Sequence, residues 1–413
     1  MRAPARRAWL SWGAAQLFFV LSVLVTVSLA IASPALVQHL GLGDGQWGQL
    51  GGAYFGAFSL AMLVFGSLLS TLSPRLLLGG TASLAALGAL LLGSASSWPM
   101  ALLAMVLMGI GLSIAFLGVV TVVGWEFPAS YAAMTALSNA ITNLCSCALA
   151  LVSSVLPILT DASMAFRVLA LLLLLAAALL VLVLPRAPRI RERSSDGAAL
   201  PSLGIAGLPA AVLTIGRSSQ FWLVALYVAG LFGAFLAYAD LWNIPFQMRV
   251  FGHTINQAAR LNAAFPLGVV LGSLVGGAWA RRSGFLLPVR GFALLTLGVL
   301  VVLLQLPLNA TAAALAFLLV GFSCSAGPLA LAALPQHLPS SLVPVATTLV
   351  MTLAYLVSAG VQLMAAWPGG SSGIDDFQHY QASLGVIALP MAIAAAAAWF
   401  IRRGSRAVGP LHP

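Results

Sequence analysis

From Trp9 to Ala32 the chain carries no ionisable side chain. An α-helix rises about 1.5 Å per residue, so roughly 20 such residues cross the hydrocarbon core of a bilayer. Comparable apolar runs recur near 48–72, 76–97, 100–124, 130–156, 165–185, 219–241, 259–280, 286–305, 311–335, 341–366 and 382–401. Lipid offers no water to a backbone N–H or C=O, so each run must close its own hydrogen bonds as a helix. The expected fold class is an all-α membrane protein of twelve transmembrane helices. Composition agrees: 61% of residues are hydrophobic and 6% charged, where a soluble domain carries about 25% charged residues. The first run follows Arg2, Arg6 and Arg7 but is long enough to span, which favours a membrane helix over a cleaved signal peptide.

The net charge of +10 raises the question of a nucleic-acid partner. Position argues against one. All 18 basic residues are arginines at the ends of apolar runs, with no basic patch interleaved with aromatics. With the N-terminus inside, only Arg167, Arg249 and Arg260 fall on the outer side, which is the asymmetry that sets membrane orientation. The 10 tryptophans fall near the predicted helix ends, where amphipathic rings prefer the interface. A bacterial cytoplasmic membrane with both termini cytoplasmic is the expected location.

The one long polar connection, 186–217, is rich in arginine and divides the helices into an N-terminal bundle, 1–185, and a C-terminal bundle, 218–413. The two are similar to one another. "GSLLSTLSPR" at 66–75 aligns with "GSLVGGAWAR" at 272–281, and "FPASYAAMTAL" at 127–137 with "LPSSLVPVATT" at 338–348. Matched order and spacing point to an internal duplication, a plan common in secondary transporters. The fold expected is therefore two pseudo-symmetric six-helix bundles.

These features resemble the major facilitator superfamily. Its signature after the eighth helix survives as "GAWARRSG", Gly277 to Gly284, with Arg281 where the family has an acid. The first-half copy, "TLSPRLLL" at 71–78, retains almost nothing. The family's fourth-helix Gly-x-Gly is present as Gly109 and Gly111, but Met105 stands in place of the preceding arginine. The Gly-Pro motif of the family's proton antiporters is missing from "SNAITNLCSC", 138–147. "DLWNIPFQMRVFG", 240–252, is similar to a segment of a bacterial subgroup. The resemblance implies two bundles rocking about a midplane cavity lined mainly by helices one, four, seven and ten.

Asp240 is the residue that most needs explaining. The chain has eight acids, and a carboxylate at membrane depth costs about 2.5–3.5 kcal/mol even on the lenient insertion scale. By the repeat, Pro245 corresponds to Pro34, and both are expected to end their helices. Asp240 is then either a proton-coupling or substrate-binding carboxylate, with Arg249 or Arg260 as its outer partner, or an interfacial residue beside Trp242 that sees outer water. Glu126 beside Trp125 is expected to cap the fifth helix or to act as a gate contact. Arg260 and Arg281 join Asp240 and Glu126 as gate candidates. Asn139 and Asn143 lie one turn apart, and Thr348, Thr352, Tyr355 and Gln362 form a polar stripe on the eleventh helix. Amides in lipid need partners, so these side chains bind either substrate or another helix. Tyr227 and Tyr238 are further candidates to hold a ligand. The glycines at 268, 272 and 276 allow close backbone approach, as packing or as a sliding surface between bundles.

No Walker or dinucleotide fingerprint is present, which argues against an ATP-driven pump. The five histidines are scattered without metal spacing, and Cys145, Cys147 and Cys324 form no recognisable framework. No catalytic residues, cofactor or metal are expected. The expected function is a monomeric secondary active transporter moving a small solute, with the proton as the candidate coupling ion. The alternatives are an intramembrane lipid-active enzyme and a non-transporting sensor on a transporter fold.

Overall fold

The computed structural model describes residues 6–69, 72–153, 161–186, 208–305, 310–339, 342–365 and 376–404. Every regular element among them is helical. The spanning helices are α1 Arg6–Leu40, α2 Asp44–Leu68, α3 Pro74–Leu92, α4 Trp98–Glu126, α5 Tyr131–Val152, α6 Ala162–Val183, α7 Ser219–Arg249, α8 Ile255–Ser283, α9 Leu286–Gln305, α10 Thr311–His337, α11 Val343–Ala365 and α12 Asp376–Phe400. All but α12 are long and apolar enough throughout to cross a bilayer, and the apolar part of α12 is Leu384–Phe400. Large apolar side chains stay exposed on the outer surfaces, among them Leu171, Leu182, Leu274 and Leu389. Such a skin is stable against lipid and not against water. Most of the 186–217 connection lies outside the described residues, and its last part is a short helix, Leu208–Gly216, packed on α7 and α11.

Helices α1–α6 form one bundle and α7–α12 the other. Three pairs join them: α2 with α11, α5 with α8, and α1 with α7. Twelve crossings bring both chain ends to the same face, the terminal face. Toward the opposite face, Val27, Ala30 and Ile31 of α1, Ala150 of α5, Ile244 of α7 and Ala258, Ala259 and Ala263 of α8 form one apolar cluster spanning both bundles. At the terminal face, Ala8, Val123, Phe127 and Met134 cluster against Trp12, all within the first bundle. The opposite face is therefore the one at which this conformation is sealed between bundles.

Two prolines expected to end helices do not. Helix α1 continues past Pro34 to Leu40. Proline at 34 frees the carbonyl four residues back, and Ser33 Oγ donates to that Ala30 carbonyl at 2.8 Å. Helix α7 passes Pro245 by a different route. It widens into π turns at Ala229–Gly233 and Tyr238–Trp242, and Asn262 Nδ2 donates to the Ala239 carbonyl at 3.1 Å. Proline is tolerated inside membrane helices when a side chain such as Ser33 takes up the freed carbonyl or the helix adjusts locally, as α7 does with its π turn.

Glycines fix the helix pairs inside each bundle. A Cβ on Gly109 would strike the Tyr54 carbonyl of α2, and one on Gly268 or Gly272 would strike the Leu318 or Phe322 carbonyl of α10. The α8 glycine stripe thus packs within the C-terminal bundle and is not a sliding surface between bundles. Met105, in the place of the family's arginine, is fully buried.

Candidate functional site

Asp240 lies within the second π turn of α7. Such turns are rare and gather at functional positions, because one inserted residue re-aims the side chains beyond it. The turn packs against α1, and the neighbouring Leu241 reaches α2, where a Cβ on Gly51 would meet Leu241 at 2.5 Å and also strike Gln362 of α11. Helices α2, α7 and α11 therefore meet beside Asp240. Tyr54 of α2 and Tyr355 of α11 lie within electrostatic reach of its carboxylate. The carboxylate has no hydrogen bond or ion pair among the described residues.

Aromatic rings surround this junction. The Tyr355 ring centroid is 4.2 Å from Phe58, 6.0 Å from Phe55 and 6.4 Å from Phe232. Tyr54 stands edge-on to Phe55 at 4.8 Å. Asp240, Phe58, Phe232 and Tyr355 are each only half-buried although they lie deep along their helices. Each of the four keeps accessible surface, and Phe58 meets Tyr355 across the α2–α11 seam. On α11, Gln362 is fully buried with neither amide atom partnered, and the Thr352 and Ser358 hydroxyls are also unpartnered. Ser59 of α2 donates to the Thr352 carbonyl at 2.9 Å and pins α2 to α11.

Asp240, Tyr355 and Gln362 are thus brought to one junction. The other candidates lie elsewhere. Tyr227 is buried inside the C-terminal bundle and donates to the Val289 carbonyl at 3.2 Å. Tyr238 packs among Phe246, Phe265 and Phe317 in the same bundle. Asn139 and Asn143 donate to the carbonyls of Thr135 and Asn139 on their own helix. Helix-to-helix bonding on α5 is made by their neighbours: Ser138 accepts from Trp12 Nε1 at 2.9 Å, and Thr142 accepts from Gln16 Nε2 at 3.0 Å. Glu126 is the last residue of α4 at the terminal face. Arg281 is exposed near the terminal-face end of α8, and Arg260 is exposed on α8, donating to the Asn256 carbonyl.

Arg249 is not the partner of Asp240. It pairs with Asp44 at 2.8 Å, joining the end of α7 to the start of α2 across the bundles on the sealed face. A buried amide chain lies beside this strap. Asn243 donates to Asn262 at 2.8 Å, Gln247 donates to Asn243 at 3.4 Å, and His253 Nδ1 lies 3.0 Å from Gln247 Oε1. Neither Asp44 nor Tyr54 stood out in the sequence. Only the 205-residue loop closure between Asp44 and Arg249 reveals the first, and Tyr54 lies in a glycine-rich apolar run.

The strap is partly exposed, and an exposed ion pair is worth about 0.2–1 kcal/mol. Replacing Arg249 with alanine should therefore open the sealed face by no more than about fivefold. Cys147, packed against the sealing cluster, supplies the readout: its maleimide labelling should rise two- to fivefold in a background lacking the other two cysteines. The reciprocal pair Asp44→Arg with Arg249→Asp should return labelling to the starting rate. Labelling unchanged by Arg249→Ala would show that the strap does not hold the face shut.

Comparison with known proteins bears on this architecture. The sequence profile of the Major Facilitator Superfamily matches residues 16–362. No curated protein matches the chain by sequence. Among solved structures it is similar to a bacterial homolog of the human lysosomal transporter Spinster, in an inward-facing and unoccupied conformation: TM-score 0.72 at 16% identity, covering 98% of this chain and 100% of that one. A mutant form of the nucleoside transporter NupG superposes with TM-score 0.75 at 9% identity, over 94% and 99% of the two chains. At these identities the likeness speaks for the fold alone. The profile match extends from the first helix into the eleventh, and it identifies a multi-pass membrane transporter rather than an enzyme. The chain belongs to the Major Facilitator Superfamily.

Proposed function

We propose that this protein is a proton-coupled secondary transporter of a bacterial cytoplasmic membrane, with both termini cytoplasmic, moving a small solute by alternating access. The observation that carries this reading is the placement of Asp240: a carboxylate at the bundle seam, half-buried, with no ion pair among the described residues. An ionisable group within a membrane span marks an ion or substrate path unless it is paired structurally. Rocking of the bundles about α2–α11 and α1–α7 would expose that carboxylate to each face in turn. A proton bound on one face would then be released on the other, together with or against the solute. Tyr355 and Gln362 would contact the solute at the same seam. The rocking equilibrium needs no chemistry beyond this, because a ligand shifts it only by binding one state more tightly.

The test is reconstitution. Purified protein in liposomes should accumulate or expel a solute when a proton gradient is imposed, and a protonophore should abolish the flux. A thermal-shift screen against a metabolite library supplies the solute, since a ligand bound only to the folded state raises the melting temperature by mass action. Product formation from lipid in detergent, with no gradient and no gradient-driven flux, would instead establish the lipid-active enzyme.

A further inference from the structure

We propose that the cargo is an organic cation with an apolar body, its charge held by Asp240 and its body by the ring wall of Phe58, Phe232 and Tyr355. This deepens the transporter reading above and rests on it.

The argument begins with charge. Asp240 is the only acid in the interior of a described span, since Asp44 and Glu126 stand at span ends. No described arginine forms an ion pair with it. Arg249 is engaged by Asp44. Arg290 donates to the Trp399 and Ile401 carbonyls and lies over the Trp399 ring at 5.5 Å. The titratable groups that face Asp240 are Tyr54 from α2 and Tyr355 from α11. Helix α1, packed on the same π turn, carries only Arg6, Arg7 and His39, all near its ends. Among the described residues, the seam thus holds one fixed negative charge and no fixed positive one. An anionic solute would meet repulsion there, and a cationic one supplies the missing counter-charge.

The wall supports the same choice. Phe55 and Phe58 of α2 and Phe232 of α7 converge on Tyr355 of α11 within 6.4 Å. Aromatic faces carry negative quadrupole charge and attract a cation most strongly where water is excluded. The rings also cover hydrocarbon, so charge and apolar bulk must belong to one molecule. The fully buried Gln362 amide, with both polar atoms unpartnered, provides an acceptor for an N–H and a donor for an oxygen on that molecule. Because a proton and a cation satisfy the same carboxylate, the two would compete, and binding of the cation should release a proton.

The probe is tetraphenylphosphonium, a permanent cation with an aromatic body, compared with the neutral triphenylphosphine oxide by equilibrium dialysis in detergent. The wild-type protein should bind the cation at least tenfold more tightly than the oxide and release protons into weakly buffered solution as it does so. Asp240→Asn should lose at least tenfold in cation affinity with little change for the oxide, and Asp240→Glu should restore most of it. Phe58→Leu should weaken both ligands. Equal affinity of the wild type for the two probes, or no binding of the cation, overturns the proposal whether or not any variant folds. Failure of the transporter reading is seen separately: it appears as absence of gradient-driven flux of any solute in liposomes, a measurement that does not depend on this probe.

Discussion

Gly272→Leu should leave little folded protein, whereas Gly277→Leu on the same helix should be tolerated. A Cβ at Gly272 would strike the Phe322 carbonyl and lie 2.5 Å from Ser325 Oγ. Ser325 Oγ is itself bound to that carbonyl at 2.7 Å, so neither the backbone nor the hydroxyl can yield alone, and α8 would have to part from α10. Overpacking a well-filled site costs about 1–3 kcal/mol, occasionally more, and a clash with backbone belongs at the upper end. At roughly 2–4 °C per kcal/mol, with one six-helix bundle as the unfolding unit, the melting temperature should fall by about 10 °C. A Cβ on Gly277 would have no neighbour within 4 Å. Replacing it removes a poor helix former, worth about 0.8–1 kcal/mol in helix propensity, so its melting temperature should hold or rise. Fluorescence-detected gel filtration with a heat step measures both. Equal behaviour of the two variants would refute the close α8–α10 approach.

That pair also marks where the sequence was informative. Glycine every fourth residue in an apolar run signals close backbone approach, and the spans follow from hydrocarbon thickness alone. The sequence could not say which helix the glycines meet. Bundle membership was legible through the internal repeat. The helix ends at Pro34 and Pro245 were misjudged because the rule that proline stops a helix assumes water as the alternative partner for freed backbone groups. Here Ser33 takes up the carbonyl that Pro34 frees, and α7 widens into a π turn just before Pro245.

The site was legible as residue types and not as an arrangement. Tyr227, Tyr238 and Asp240 share α7, and an unbroken 3.6-residue period would fix their relative directions. One π turn, Ala229–Gly233, lies between Tyr227 and Tyr238, and a second, Tyr238–Trp242, holds both Tyr238 and Asp240. Tyr227 and Tyr238 face the inside of their own bundle, while Asp240, two residues past Tyr238, faces the seam. Tyr54 and the rings beside it were not signalled because an aromatic in an apolar run looks like core until its neighbours from other helices are known. The strap between Asp44 and Arg249 joins residues with no local relation at all.

Asp240→Asn should abolish proton-driven accumulation in liposomes without weakening the fold. The change is isosteric and removes only the capacity to carry charge or a titrating proton. Asp240 offers no hydrogen bond or ion pair to another described residue, so its loss orphans no partner of the kind that makes broken buried pairs destabilising. It also removes a carboxylate whose placement in a span costs about 2.5–3.5 kcal/mol, and an amide is cheaper to bury than a charge. The melting temperature of Asp240→Asn should therefore equal or exceed that of the wild type. Accumulation under an imposed proton gradient should fall at least tenfold, and Asp240→Glu should recover part of it. This combination, stability kept and function lost, is the signature of a group retained for work rather than for folding. Asp44→Asn serves as the control, since that acid sits in a partly exposed strap and its loss should change accumulation by no more than about fivefold. If Asp240→Asn liposomes still accumulate solute in proportion to the gradient, the coupling group is not Asp240. The carboxylate would then be left with a substrate-binding role alone, which the cation and oxide comparison measures directly.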